Sequence, residues 1–166
     1  MSREVITGLG VISCLGNNQD EVLKSLKNGV SGLSINQDYV DNGMRCHVSG
    51  QVSPNLEKID RKMLRFMSET SAYAFLSAEE AIKDAGLSSD QIASNDVGVI
   101  VGSGTGSSRE IQRIMDTIRE KGMKRIGPYS VTRTMGNTTS AAISTFFKTK
   151  GISFSIASAC STSLHC

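Results

Sequence analysis

Apolar and polar positions along the chain follow two rhythms, short apolar runs and helical spacing. Residues 4–12 (EVITGLGVI) form an apolar run broken by Gly8 and Gly10, which predicts a buried strand. Asn18 followed by Glu21 is a capping-box pattern, and Val22, Leu23 and Leu26 then give an apolar face ending at Gly29. Residues 30–59 are turn-rich, with one short strand expected near 46–52. The strongest helical signal follows. Asp60 reads as an N-cap, Leu64, Met67, Ser71, Phe75, Ala78, Ile82 and Ala85 step by three or four, and Gly86 reads as the stop.

Residues 97–101 (VGVIV) predict a strand covered on both faces, and the glycine-rich stretch 102–106 leads from it into a charged helix over about 107–120. A further helix of small residues and threonines is expected over about 131–147. Gly151 breaks the chain, and residues 152–157 (ISFSIA) predict a strand. That strand runs directly into Ser158, Ala159, Cys160, Ser161, Thr162 and Ser163. Strands alternating with helices imply an α/β layered fold, a mixed sheet with some parallel pairing flanked by helices. The 166 residues are enough for one domain with a core, taken here as 1–166.

Charge narrows the partners. Eighteen basic residues against sixteen acidic leave a net charge of +2, which gives no reason to expect a nucleic acid or an anionic membrane as the main partner. No apolar run reaches the roughly eighteen residues a membrane span needs. The sequence Val11-Ile12-Ser13-Cys14 resembles a lipoprotein cleavage box, but Glu4 and the nearby glycines make a poor signal helix, so a cytoplasmic protein is expected. Cys14, Cys46, Cys160 and Cys166 show no C-x-x-C pair and no histidine at zinc spacing, and no metal is expected. Three of the four read as small apolar fillers.

Cys160 stands apart because of its position. An apolar strand ending in a tight turn of small residues can put one side chain at the mouth of a sheet. A helix starting there offers unpaired N–H groups and its dipole to a thiolate. Ala159, Ser161 and Ser163 leave room for backbone and substrate to approach. The same pattern fits an inert buried thiol. His165, five positions on, would sit about 140° round a helix from Cys160, pointing away from the sulfur, and reads as a packed structural residue. His47 lies in the turn-rich region without a partner motif. The glycines at 8 and 10 lack the third glycine of a dinucleotide fingerprint, and 102–106 lacks the Lys-Ser/Thr of a phosphate loop. Arg61, Lys62 and Arg65 oppose the dipole at the start of a helix, and Lys121, Lys124 and Arg125 flank Gly122. Such charges fit an acidic partner or a merely solvated face.

The stretches VITGLGVISCLGNN, GMRCHVSGQV, IDRKMLRFMS, AYAFLSAEEAIKDAGL, GSGTGS, GPYSVTRTM and SIASACSTSLHC resemble, in that order, the N-terminal half of β-ketoacyl-acyl-carrier-protein synthases of the elongating, type I kind. The resemblance covers essentially the whole chain. It implies the thiolase fold, two similar α/β halves stacked in layers, of which this chain is the first, and a homodimer in bacterial fatty-acid synthesis. It implies that Cys160 accepts an acyl group from the phosphopantetheine arm of acyl carrier protein, with no separate cofactor. Malonyl carrier protein then loses carbon dioxide, and its carbanion attacks the thioester. The N–H of Cys160 would form part of the oxyanion hole. By the same resemblance Thr105 lines the acyl pocket, Met135 reaches the partner subunit's pocket, and Arg61, Lys62, Arg65, Lys121 and Lys124 meet the carrier protein.

Members of that family are more than twice as long, and their second half supplies two histidines, a lysine, the other oxyanion N–H and a gating loop. The chain is therefore expected to be a truncated stretch, inactive alone in elongation, with apolar surface left uncovered. A chain-length-factor-like partner and a carrier-protein binding module are the alternatives, the first opposed by the presence of Cys160. Thiolases and initiating synthases place the cysteine earlier and lack the IDRK block.

Overall fold

A computed structural model describes residues 3–166. In chain order the elements are α1 (Gln19–Lys27), β1 (Leu33–Ile35), α2 (Gln37–Asp41), β2 (Val48–Gly50), α3 (Arg61–Leu64), α4 (Glu69–Asp84), α5 (Ser89–Ile92), β3 (Val99–Gly102), α6 (Ser108–Lys121), α7 (Ser130–Thr134), α8 (Thr138–Phe147), β4 (Ser153–Ile156) and α9 (Thr162–His165). They cluster into two compact units. One takes the residues up to Leu56 together with Leu76–Gly86, the other Glu57–Phe75 with Leu87–Cys166.

In the first unit the expected strand over 4–12 is absent, and the segment is not buried: Val5 is 70% and Ile6 83% exposed. Other bonds take the place of a ladder. The Glu80 carboxylate accepts from the N–H groups of Val11 (2.9 Å) and Gln19 (2.8 Å), and Asp84 accepts from Leu9 (2.9 Å). Gly10 makes the approach possible, because a Cβ there would land on the Ser77 carbonyl of α4. Asn18 caps α1 by accepting from the Glu21 N–H, but the Glu21 carboxylate accepts from Asn17 rather than from Asn18, so the capping box is half formed. The strand expected near 46–52 is β2. Its antiparallel partner β1 and the helix α2, capped by Asn36, were not foreseen.

The second unit holds the core. Among the described residues every buried apolar side chain belongs to it: Ile59, Met67, Ala72, Phe75, Ile92, Val99, Ala142 and Ile143. Phe75 stacks on Phe147 at 4.8 Å and meets Phe146 edge-on at 6.2 Å. β3 and β4 pair in parallel, Val99 opposite Ser153 through Gly102 opposite Ile156, and α8 packs on both. β3 is covered on one face only, since Val99 is buried while Ile100 is 49% exposed.

Two long helices expected from the pattern are each broken by hydroxyl side chains. Asp60 does cap a helix, its side chain accepting from Lys62 N–H, but that helix stops at Leu64. Ser68 then restarts the chain as α4: its hydroxyl accepts from the Ser71 N–H, and its carbonyl accepts from the Ser71 hydroxyl at 2.9 Å. Gly86 ends α4 in the left-handed conformation, as the pattern predicts. Likewise Met135 is extended between α7 and α8, and the Thr138 hydroxyl donates to the Thr132 and Met135 carbonyls. No helix of the described residues is long and apolar enough to cross a membrane.

Candidate active site

β4 ends at Ile156, and within five residues the chain turns and enters α9. Cys160 sits in that turn, the middle residue of a single 3-10 turn, Ala159–Ser161. The turn is built from hydroxyls. Thr162 Oγ1 accepts from the Ser158 N–H and donates to the Ala159 carbonyl, both at 2.8 Å. The Ser158 carbonyl accepts from both the N–H (3.0 Å) and the hydroxyl (2.9 Å) of Ser161. Gly102 at the end of β3 gives this assembly its room. A Cβ there would meet the Ile156 carbonyl and the Thr162 methyl. Ala159, at φ 46°, occupies the left-handed region that costs an L-residue without local support.

Two consequences bear on chemistry. The Cys160 side chain is exposed, and its thiol is free. Among the described residues its N–H has no hydrogen-bond acceptor, although the peptide groups around it are engaged. A reactive carbonyl carbon arriving at the sulfur would bring its oxygen near an uncommitted donor.

Thr105 is exposed in the loop after β3 and lines a cleft of about 430 Å³ with Gly104, Gly136, Asn137, Ser155 and Ala157. This cleft reaches to within three residues of Cys160 along the chain. Met135 lines a different cleft, apolar and about 250 Å³, with Phe66, Thr132, Thr138, Ala142 and Phe146. The structure therefore does not bring Thr105 and Met135 into one cavity.

Arg61, Lys62, Arg65, Lys121 and Lys124 are all exposed, and among the described residues none forms a salt bridge. The Phe66 and Tyr129 rings meet at 4.7 Å, which ties the segment bearing Arg61, Lys62 and Arg65 to the loop that follows Lys121 and Lys124. His165 corrects an expectation: it is exposed rather than packed, and it makes no hydrogen bond to Cys160. His47 is exposed as well. The three cysteines expected as buried fillers are exposed too. Cys14 lies against Gly32 and Gly50, which have no side chain to cover it. Among the described residues no group of three or more His, Cys, Asp or Glu side chains is placed to hold a metal.

The model of the β-ketoacyl synthase N-terminal domain matches residues 1–166. The chain belongs to that family. It is 48% identical to the 3-oxoacyl-acyl-carrier-protein synthase 1 of Haemophilus influenzae, covering 100% of this chain and 41% of the relative. It is 52% identical to the enzyme of the same name from Escherichia coli, covering 100% of this chain and 42% of that one. A β-ketoacyl synthase from Burkholderia phymatum has the same fold, with a TM-score of 0.78 and 30% identity over 99% of this chain and 41% of that one. The chain thus spans about two fifths of the length of the relatives it matches, and its α/β architecture is the thiolase-like one of the ketosynthases.

In the sequence of this β-ketoacyl synthase domain Ser161 and Ser163 read as small residues leaving room around the cysteine, and Thr162 carries no assigned role. Ser161 and Thr162 instead tie the turn together, and Thr162 is 5% exposed. The run Ser158-Ala159-Cys160-Ser161-Thr162 carried a signal for this, since serine and threonine bond nearby backbone wherever a chain turns.

Proposed function

We propose that this chain is the nucleophile-bearing part of a β-ketoacyl-acyl-carrier-protein synthase of fatty-acid elongation, an acyltransferase working in the cytoplasm as a homodimer. The observation that carries the reading is Cys160: exposed, at a strand-to-helix turn, with its own N–H uncommitted. In the first step the Cys160 sulfur attacks the acyl thioester on the phosphopantetheine arm of acyl carrier protein. The Cys160 N–H stabilises the developing oxyanion, the carrier's thiolate leaves, and an acyl-cysteine thioester remains. In the second, malonyl carrier protein loses carbon dioxide and its carbanion attacks that thioester. The new carbon–carbon bond forms as the C–S bond breaks, giving a chain two carbons longer. The groups that assist decarboxylation come from outside these residues.

Thr105 borders the acyl path, and Met135 projects toward the second subunit's pocket. The exposed charges of Arg61, Lys62, Arg65, Lys121 and Lys124, without a salt bridge among the described residues, form the docking face for the acidic carrier, and the ring contact between Phe66 and Tyr129 supports treating them as one surface. All four cysteines are exposed, so accessibility alone cannot favour one of them. Treatment with cerulenin or an acyl thioester followed by peptide mass spectrometry yields a single adduct on Cys160. Equal labelling at Cys14, Cys46, Cys160 and Cys166 removes the basis for an activated thiol.

A further inference from the structure

We propose that Thr162 is a positioning residue for Cys160: its buried hydroxyl ties the Ser158 N–H to the Ala159 carbonyl and so holds the turn that presents the sulfur and the Cys160 N–H together. The inference rests on the nucleophile reading above and adds a residue to it.

Three observations carry the inference. The Thr162 hydroxyl is used twice, as acceptor from Ser158 and donor to Ala159, at 2.8 Å each, so it spans the residues immediately before Cys160. Ala159 between them has φ 46°, a conformation that relaxes toward the ordinary helical or extended regions unless something over-determines it. Such relaxation rotates the peptide joining Ala159 to Cys160, and that peptide carries the Cys160 N–H. Finally, Thr162 is 5% exposed, with its methyl packed in the space left by Gly102, so water cannot stand in for the hydroxyl.

The two halves of the side chain can be separated. Thr162→Val keeps the bulk but leaves the Ser158 N–H without its acceptor. Thr162→Ser keeps the hydroxyl and gives up the methyl. Two reagents then divide positioning from exposure. Iodoacetamide needs only the sulfur, whereas a short acyl-pantetheine thioester needs sulfur and oxyanion donor aligned.

Thr162→Val is expected to lower the rate of Cys160 acylation by the thioester about tenfold or more, with much less change in its alkylation by iodoacetamide. Thr162→Ser stays close to wild type, and Cys14 and Cys46 serve as internal references. Unchanged acylation in a folded Thr162→Val variant overturns the proposal. Absence of Cys160 acylation in the unsubstituted protein overturns instead the nucleophile reading on which it rests. Should Thr162→Val not fold, hydrogen exchange in the unsubstituted protein decides the matter. Slow exchange of the Ser158 amide supports the clamp, and exchange as fast as in an open loop refutes it.

Discussion

In the first unit the segment 4–12 is held by carboxylates of α4, with no buried apolar side chain among the unit's described residues. In the second, the turn around Cys160 is held by neutral hydroxyls at the end of a parallel strand pair, in the unit that holds every buried apolar side chain of the described residues. Both places bring backbone against backbone through a glycine, Gly10 in one and Gly102 in the other. The choice of polar group is what differs. Ionised carboxylates make the stronger bonds to N–H groups and suit a segment with little apolar burial behind it. Beside a cysteine proposed to act as a thiolate the same carboxylates would oppose that charge, and hydroxyls make the turn without adding any.

The largest effects test the glycines. Gly10→Ala puts a methyl on the Ser77 carbonyl, and Gly102→Ala puts one between the Ile156 carbonyl and the Thr162 methyl. Backbone cannot yield as a flexible side chain does, so each substitution is expected to cost about 3 kcal/mol in denaturant unfolding. The two part company in chemistry. Gly102→Ala abolishes thioester acylation of Cys160, while molecules of Gly10→Ala that remain folded keep it. If Gly102→Ala acylates at the wild-type rate, the turn does not depend on β3 in the way the structure indicates.

A smaller effect tests the charges. Glu80 accepts from two N–H groups, and Glu80→Gln keeps only one amide oxygen to serve both Val11 and Gln19. The loss is expected to be about 2 kcal/mol, seen as faster exchange of the Val11 and Gln19 amides with Cys160 acylation unchanged. Asp84→Asn, at a single exposed bond to Leu9, is expected to cost under about 1 kcal/mol. Equal costs for the two would mean that the segment is held by something other than these carboxylates.

How much of this was legible in the residues depended on the range of the forces involved. β4 running into Cys160, the parallel pairing, the α6 helix and the Gly86 stop follow from local periodicity and turn chemistry, and all are present. The family resemblance gave the fold class, which the domain match and structural likeness bear out. The breaks at Arg65–Ser68 and Met135–Asn137 were missed because apolar spacing runs through them, while Ser68 and Thr138 divert local bonds that spacing does not weigh. The segment 4–12 read as a buried strand because its composition is that of one, and nothing local could show its N–H groups going to carboxylates some seventy residues away. Thr162 escaped for the opposite reason. It lies two residues from Cys160, where a small side chain reads as space rather than as a bond.

The smallest effect concerns a third carboxylate of α4. Glu69, near the helix start, bonds Arg109 at 2.8 Å with the two side chains 43% and 76% exposed, so the pair is expected to contribute less than about 1 kcal/mol. Its reach is seen instead in Tyr73, whose phenol is raised above the ordinary 10.0, first by burial and then by Glu69, with Arg109 pulling the other way. Because the folded value exceeds the unfolded one, the associated stability is fully present below pH 10 and falls as the pH rises through the folded value. Arg109→Gln removes the one opposing charge, so the Tyr73 ring signals in an NMR titration should move at still higher pH than in the unsubstituted protein. A downward movement would mean that Glu69 had turned from the ring once freed of its partner. In that case charge on this face of α4 would order the local structure much as Glu80 and Asp84 do in the first unit, and the contrast between the two units would narrow.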